Sequence, residues 1–364
     1  MSTRRSTLGR TSASLPAVLS RSRTVAVRGA DGTRLHTQVF GPPDGYPIVL
    51  AHGFTCAIRV WGYQIADLAA DYRVIAFDHR GHGSSGVPRR GGYSLSHQAS
   101  DLDAVLEATL GPGERAVLAG HSMGGIAITA WSDRYRHKFR RRADAVALIN
   151  TTTGDLVRKV NLLLVPRQFA ATRVLAGQRL ITTFGCFGMP SVIGWPTREL
   201  VAMLAVGADA DPAVAALIYD LFAATAPAGR VGCAKMLADA LGRRHISVAG
   251  LTMPTLVIGS ERDRLTPISQ SRRIARTAPT WSGSSSCPAV TARCWNIRRR
   301  STANCGHWSN RPLRPGASAH RRAATSAAAR CPERTAPSRK PVHSSAVSVP
   351  AQWMGPTGRR NHGP

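Results

Sequence analysis

One serine in this sequence has the neighbours that a nucleophile on a sharp turn needs. It lies in the pattern Gly120-His121-Ser122-Met123-Gly124, after a short apolar run and before a helix-like apolar segment. Glycines suit the flanks because a strained turn brings neighbouring chain too close for side chains. A strand-turn-helix context would hold the Ser122 hydroxyl at a sheet edge, beside a helix N-terminus that favours developing negative charge. The pattern indicates nucleophilic chemistry, and a glycine-rich turn that merely contains a serine is the alternative.

Apolar runs that alternate with helical segments supply the elements that would position this serine. Buried strands are predicted from length and composition at 46–51, 72–78, 116–119, 143–150 and 254–259. An Asp-Gly turn between alternating segments predicts a hairpin over residues 24–40. Ser94 is a suitable N-cap for a helix that continues to Leu110. This alternation predicts an α/β fold with a mostly parallel sheet and helices on both faces.

Four motifs, in this order along the chain, resemble those of the α/β-hydrolase superfamily. They are His52-Gly53-Phe54, the loop 78–84, the turn 120–125 and the segment 254–263. The resemblance covers roughly residues 24 to 278, and the loop and turn are most similar to those of small esterases and monoacylglycerol-lipase-like members. It implies the α/β-hydrolase fold with a helical cap, and residues 152–247 are interpreted as that cap. Strands give way there to predicted helices at 156–164, 171–183, 198–208, 212–224 and 231–243.

The resemblance also implies roles for individual residues. Ser122 is the nucleophile, and the backbone N–H groups of Phe54 and Met123 form the oxyanion hole. The acid that orients a histidine follows the strand at 254–259. Asp263 is interpreted as this acid, with Glu261 as the nearby alternative.

The reaction that the resemblance implies is acyl transfer to water, and the expected substrate is a small apolar ester. A serine at the elbow argues against epoxide hydrolases and haloalkane dehalogenases, which resemble this fold but use aspartate there. Amidase, thioesterase, C–C hydrolase and cofactor-free haloperoxidase activities remain open. No cofactor is expected. His79, Arg80 and His82 could suggest a catalytic or metal site, but the family uses this loop structurally.

The histidine of the triad is not where the resemblance requires it. His307 lies in Cys305-Gly306-His307-Trp308, 44 positions after Asp263, and is the candidate in the chain as written. A shift of reading frame near Pro279 is the alternative explanation. With GC-rich codon choices, residues 280–309 can be re-read as a strand, a Gly-Gly-His loop and an amphipathic helix, like the family's C-terminus. The re-read histidine falls between positions 290 and 291, and His307 is then a coincidence.

The last quarter of the chain differs in composition from the rest. Residues 281–364 hold 14 of the 48 Lys and Arg residues but one of the 20 Asp and Glu residues, and only six are Leu, Ile, Val or Phe. Such a segment buries too little apolar surface to offset its ordering entropy, so disorder is predicted from residue 281 onward. A catalytically dead hydrolase core with this basic tail is a rival interpretation. A module that binds anions through the tail is a weaker one.

Other features argue against further functions. The seven cysteines lack CxxC spacing, which suits reduced thiols and favours neither a disulfide framework nor a metal site. The sequence has no run of about 18 apolar residues, so no membrane span is predicted. No signal-peptide pattern is present. A cytoplasmic enzyme is expected, with no specific nucleic-acid partner and an unknown oligomeric state. The predicted units are a basic lead at 1–23, a core at 24–151, the cap at 152–247, a second core part at 248–280 and the tail at 281–364.

Overall fold

The computed structural model describes residues 20–154, 205–206, 211–240, 245–263 and 265–287. Eight strands form one sheet in the order β1-β2-β4-β3-β5-β6-β7-β8. They are β1 (Arg23–Arg28), β2 (Arg34–Phe40), β3 (Pro47–Ala51), β4 (Arg73–Phe77), β5 (Ala116–His121), β6 (Ala143–Ile149), β7 (Thr255–Ser260) and β8 (Trp281–Cys287). The predicted hairpin forms the antiparallel edge β1-β2. The other six strands, β4, β3, β5, β6, β7 and β8, are parallel to one another.

Seven described helices accompany the sheet. They are α1 (Gly62–Leu68), α2 (Leu95–Thr109), α3 (Met123–Arg134), α4 (Arg136–Arg142), α5 (Pro212–Ala224), α6 (Pro227–Ala240) and α7 (Ile268–Thr277). The Ser94 side chain caps α2 by accepting a hydrogen bond from the N–H of His97. Proline at the first position of α5 leaves no helical donor unsatisfied there.

Two apolar layers confirm the α/β architecture, because every residue of β3 and β5 is buried. On one face of the sheet, α2, α3, α4 and α7 contribute Leu102, Trp131, Phe139 and Ile274 to a large core. On the other face, α1 contributes Ile65 and Leu68 to a second core. Strands covered on both faces read as continuous apolar runs, which is why their positions could be predicted from the sequence.

The prediction that disorder begins at residue 281 is wrong for the first seven residues. Residues Trp281–Cys287 form β8, which runs parallel to β7 with a register from Thr255↔Trp281 to Ser260↔Cys287. The segment Trp-Ser-Gly-Ser-Ser-Ser-Cys has little β-propensity. Pairing with β7 overrides that weak preference because the ladder is made by the backbone. The rest of the predicted tail, 288–364, lies outside the described residues.

The described part of the predicted cap is helical and packs on the core. Val214, Ile218 and Leu221 of α5 pack with Ala57 and Val60. The predicted helix at 212–224 is confirmed, and the one predicted from 231 begins four residues earlier, at Pro227. The other predicted cap helices, at 156–164, 171–183 and 198–208, lie outside the described residues except for 205–206. No single described helix is long and apolar enough to cross a membrane; α5 and α6 pass that test only together, with a 96° bend between them.

A buried arginine joins the loop after β4 to α2 and to the β1-β2 turn. The guanidinium of Arg80 donates to both carboxylate oxygens of Asp101 on α2, each at 2.6 Å, and to Asp31 in the β1-β2 turn at 2.8 Å. It also donates to the carbonyl of Gly92. The Arg80 side chain is fully buried, so its charge depends on these partners. This arrangement explains Arg80 as a structural residue of the loop that follows β4.

Replacing Arg80 should therefore destabilise the fold more than replacing an exposed arginine. We expect Arg80→Met to lower the free energy of unfolding by about 3–5 kcal/mol, because Asp101 is left buried without its partner. The matched control is Arg136→Met, which removes an exposed pair with Asp133 and should cost less than about 1 kcal/mol. Urea unfolding of the three proteins measures both values, and equal losses would contradict the structural role.

Candidate active site

Ser122 occupies the turn between β5 and α3 in a backbone conformation that few residues adopt. Its φ is 50° and its ψ is −115°, a positive φ for a residue with a side chain. The Ser122 N–H donates to the carbonyl of Ile149 at the end of β6, at 3.0 Å. Within the described part of the chain, the Ser122 hydroxyl makes no hydrogen bond. The strained turn therefore presents the hydroxyl as the sequence pattern predicts.

Close packing explains why the turn contains glycines on both sides of the serine. A Cβ on Gly124 would lie 2.1 Å from the carbonyl oxygen of Ala51, and one on Gly120 would lie 2.6 Å from the backbone of Gly124. Neither neighbour is a flexible side chain, so neither could move aside. The glycines let α3 begin directly against the ends of β3 and β5.

The loop after β3 lies against this turn. A Cβ on Gly53 would be 3.3 Å from Ser122 Cβ and 2.8 Å from His121 Nδ1. The next N–H along the loop belongs to Phe54, and the first N–H of α3 belongs to Met123. Neither N–H donates a hydrogen bond to another described residue. Two backbone donors near the serine are the parts from which an oxyanion hole is built.

His52 shapes the loop and is unsuited to act as a base. Its Nε2 accepts a hydrogen bond from the His79 N–H at 3.0 Å, so Nδ1 carries the proton and donates to the Gly53 carbonyl at 2.7 Å. The ring is completely buried, and burial together with the nearby imidazoles of His79 and His82 holds the pKa of His52 well below its usual value. Both ring nitrogens of His52 are occupied in bonds to the backbone.

Three more buried histidines share its environment. The His52 ring lies 4.7 Å from the His79 ring and 5.6 Å from the His82 ring, centroid to centroid. Burial lowers the pKa of His79 to about 3, and burial lowers the pKa values of His82 and His121 to about 4. We call His52, His79, His82 and His121 the histidine cluster; it is neutral at physiological pH. Among the described residues, no group of side chains is arranged to hold a metal ion.

The loop after β7 carries the two carboxylates considered as the acid. Asp263 is buried, whereas Glu261 is exposed. The Asp263 carboxylate accepts hydrogen bonds from the N–H groups of Leu265 and Thr266, at 2.8 and 2.7 Å, and from the Thr266 hydroxyl at 2.6 Å. Ser122 and Asp263 follow parallel strands separated only by β6, so both lie at the same edge of the sheet. This placement and burial favour Asp263 over Glu261.

Sequence reasoning missed two residues that contact both loops. Asn150 and Thr151 follow β6, and both are buried. Thr151 Oγ1 donates to the Ser122 carbonyl at 2.7 Å, and Asn150 Oδ1 accepts from the Ser260 hydroxyl at 3.0 Å. The available signal was a polar run, Asn-Thr-Thr-Thr, placed directly after a buried strand at the carboxyl edge of the sheet.

No histidine of the described residues hydrogen-bonds the Ser122 hydroxyl. His97 lies in the first turn of α2, where Nδ1 pairs with the Ser94 hydroxyl at 2.8 Å. His245 lies between α6 and β7, in an exposed position. His307 lies outside the described residues, so its position relative to the serine is not part of the geometry above.

The helix α6 packs against the start of α3. Cys233, Met236 and Leu237 of α6 pack with Met123 and Ile126, and Phe54 joins the same apolar cluster. A Cβ on Gly229 would lie 2.1 Å from the carbonyl oxygen of Gly81, so α6 meets the loop after β4 backbone to backbone. The surroundings of the Ser122 turn are therefore apolar where α6 packs.

Comparison with known proteins agrees with this architecture. A family model described as the alpha/beta hydrolase fold matches residues 46–187. The chain is 41% identical over 100 residues to the non-heme chloroperoxidase of Streptomyces lividans, which is 27% of this chain and 35% of that protein. It is 38% identical over 113 residues to epoxide hydrolase B of Mycobacterium tuberculosis, which is 30% of this chain and 31% of that protein. The chain spans only 19% to 35% of the length of the curated relatives that it matches.

Solved structures share the fold over most of the chain. The enol-lactonase from Burkholderia xenovorans LB400 is 24% identical with a TM-score of 0.56, covering 74% of this chain and 93% of that one. A thermophilic esterase from Thermogutta terrifontis is 23% identical with a TM-score of 0.57, covering 75% and 92%. These likenesses confirm the predicted fold, and at this level of identity they say nothing about substrate.

The histidine cluster makes stability depend on pH. Its folded pKa values lie below the unfolded value of about 6.5, so the unfolded chain takes up protons first as pH falls. We expect the free energy of unfolding to fall from pH 6.5 to 4.5, by up to about 1.4 kcal/mol per pH unit for each histidine. Urea unfolding across this pH range measures the slope.

Two variants test whether the histidine cluster causes this change in the free energy of unfolding with pH. His82→Gln should reduce it by one histidine's share, while His137→Gln, which changes an exposed histidine, should leave it unchanged. A slope that His82→Gln does not alter would mean that the acid sensitivity has another origin.

Proposed function

Because this chain has the α/β-hydrolase fold, we propose that it is a serine hydrolase that cleaves carboxylic esters. The observation that carries the proposal is the strained backbone of Ser122, with φ of 50°, at the junction of β5 and α3. Backbone strain of this kind persists only where the surrounding structure enforces it, and it is concentrated at functional sites. The nearby N–H groups of Phe54 and Met123 supply the second requirement for acyl transfer.

The proposed mechanism assigns one step to each part of the site. Ser122 Oγ attacks the ester carbonyl while a histidine takes its proton, and the N–H groups of Phe54 and Met123 stabilise the oxyanion. The histidine returns the proton to the departing alcohol, which leaves an acyl-enzyme. Water, activated by the same histidine, then releases the acid. Asp263 holds the histidine in the required tautomer and stabilises its charged form.

Ester cleavage is preferred over the reactions named in some relatives. Epoxide hydrolases resemble this fold but use an aspartate nucleophile, and this chain has a serine at that position. The apolar side chains of Phe54, Met236 and Leu237 around the turn suit a small apolar ester.

The strand β8 bears on which histidine could serve as the base. Its carboxyl end, at Cys287, is at the same sheet edge as Ser122 and Asp263, because β5, β6, β7 and β8 are parallel neighbours. A histidine between positions 290 and 291, as in the shifted reading frame, would follow β8 directly. His307 comes 20 positions after Cys287. The chain as written is proposed to be a weak esterase, because no residue in it corresponds to the histidine of the shifted frame.

A catalytically dead core is the second candidate function. The observation that favours it is the lack of a histidine, among described residues, bonded to the Ser122 hydroxyl. The fold, the strained turn and the acid loop would then persist without the proton acceptor. The two candidates differ in activity and not in structure.

Labelling by a fluorophosphonate probe tests the nucleophile. We expect the probe to attach to wild type at Ser122 and to leave Ser122→Ala unlabelled, because the variant lacks the attacking oxygen. Mass spectrometry of the labelled peptide identifies the site. Ser84→Ala, a matched change in the loop after β4, is the control and should be labelled like wild type. Equal labelling of wild type and Ser122→Ala would refute the assignment.

Hydrolysis of p-nitrophenyl acetate tests the base. Three proteins are compared: the chain as written, its His307→Ala variant, and a chain with the alternate frame restored after Pro279. We expect the restored chain to be at least about a thousandfold more active, since the triad acts as a unit. His307→Ala should leave the weak activity of the written chain unchanged. Robust activity that disappears in His307→Ala would show that His307 completes the triad.

A further inference from the structure

The corner at the end of β6 links the two loops that carry the proposed nucleophile and acid. We propose that Asn150 and Thr151 form a positioning bridge, which holds the turn of Ser122 at a set distance from the loop of Asp263. The inference rests on the proposed function, but neither residue has a chemical role in it. We call Asn150 and Thr151 the bridge.

One arm of the bridge holds the strained serine. The Thr151 hydroxyl donates to the Ser122 carbonyl at 2.7 Å, and the Ser122 N–H donates to the Ile149 carbonyl at 3.0 Å. Both sides of the Ser122 backbone are thus bonded to the end of β6. The same carbonyl also accepts the first helical hydrogen bond of α3, from Ile126 at 3.1 Å. The Thr151 hydroxyl is the only side chain of the described residues that bonds to this carbonyl.

A glycine in the first turn of α3 makes room for the Thr151 side chain to reach the Ser122 carbonyl. A Cβ on Gly125 would lie 2.8 Å from both Cβ and Oγ1 of Thr151 and 2.9 Å from its Cγ2. The glycine therefore seats the whole threonine side chain on the first turn of α3. Thr151 is 1% exposed, so water cannot replace its hydroxyl at the Ser122 carbonyl.

The other arm connects the corner to the acid loop. Asn150 has a φ of 44°, and its N–H donates to the Ile258 carbonyl on β7 at 2.8 Å. Its side-chain oxygen accepts from the Ser260 hydroxyl at 3.0 Å. The Ser260 carbonyl then accepts from the Asp263 N–H at 3.3 Å. Hydrogen bonds thus lead from the nucleophile turn to the acid through β6 and β7.

The spacing of serine and acid determines whether one histidine can reach both. Catalytic groups must be held within about 0.5 Å of their productive positions, and a displacement of about 1 Å can cost a hundredfold in rate. Loops alone hold such positions less well than regular elements do. The bridge gives both loops a common support on two adjacent strands, β6 and β7.

The test compares isosteric changes in buried threonines. Thr151→Val removes the hydroxyl and keeps the shape, whereas Thr151→Ser keeps the hydroxyl. Thr255→Val is the control, because Thr255 is fully buried and bonds only to the Met253 carbonyl through its hydroxyl, at the opposite end of β7. The second-order rate of fluorophosphonate labelling at Ser122 is measured in the full chain, beside the unfolding midpoint.

We expect Thr151→Val to lower the labelling rate by about tenfold to a hundredfold. Thr151→Ser should stay within about threefold of wild type, and Thr255→Val should lower the unfolding midpoint without changing the labelling rate. Wild-type labelling in Thr151→Val would overturn the bridge, as would a Thr151→Ser rate as low as that of Thr151→Val. If Thr151→Val does not fold, Ser260→Ala tests the other arm by the same rate, which should fall.

A crystal structure separates this inference from the proposed function. If wild type is not labelled at Ser122 at all, the hydrolase proposal fails. The bridge is then tested by the crystal structures alone. We expect the Ser122 Cα of Thr151→Val to move by more than about 0.5 Å relative to Asp263. An unchanged Ser122 backbone in Thr151→Val would overturn the bridge, whatever the activity of the protein.

Discussion

The left-handed backbone of Ser122 is the constraint on which the surrounding structure depends. Such a conformation costs on the order of 1–3 kcal/mol, and packing elsewhere must offset it. β5 before it and α3 after it are fully or largely buried, which anchors both ends of the turn. Gly120 and Gly124 then have to lack side chains, because the turn brings backbone within 2.1–2.6 Å of where a Cβ would stand. The conformation thus determines the residue types around it.

The four buried histidines show how burial decides between chemistry and structure. Histidines close to Ser122 could suggest catalysis, and two of the four lie in the loop 78–84, which could suggest a catalytic site from the sequence alone. Burial keeps them neutral, however, and His52 uses both ring nitrogens to fix the loop before Phe54. A histidine that must gain and lose a proton during turnover needs a different environment. Under the proposed mechanism, the base would therefore be a residue outside the histidine cluster.

Much of the fold could be predicted because strands that are buried on both faces of the sheet are recognisable in the sequence as apolar runs. The runs of β3, β4, β5, β6 and β7 are mostly apolar, and the N-cap of α2 is a serine in the expected place. β8 could not be predicted, since its residues favour no strand and its pairing comes from the backbone of β7. Ser122 could be found because its motif is local. Thr151 could not, because its contact with Ser122 joins residues 29 positions apart and depends on the register of β5 and β6.

The backbone contact between Gly229 and Gly81 limits how far α6 can move. A helix that touches its support through side chains can slide by changing rotamers, but two backbones in contact leave no such freedom. Arg230, the next residue, also donates to the carbonyls of Phe222 and Thr225 and so fastens α6 to the end of α5. These contacts therefore hold α6 in a fixed position against the start of α3. Under the proposed function, the shape of that side of the site would not depend on a movement of α6.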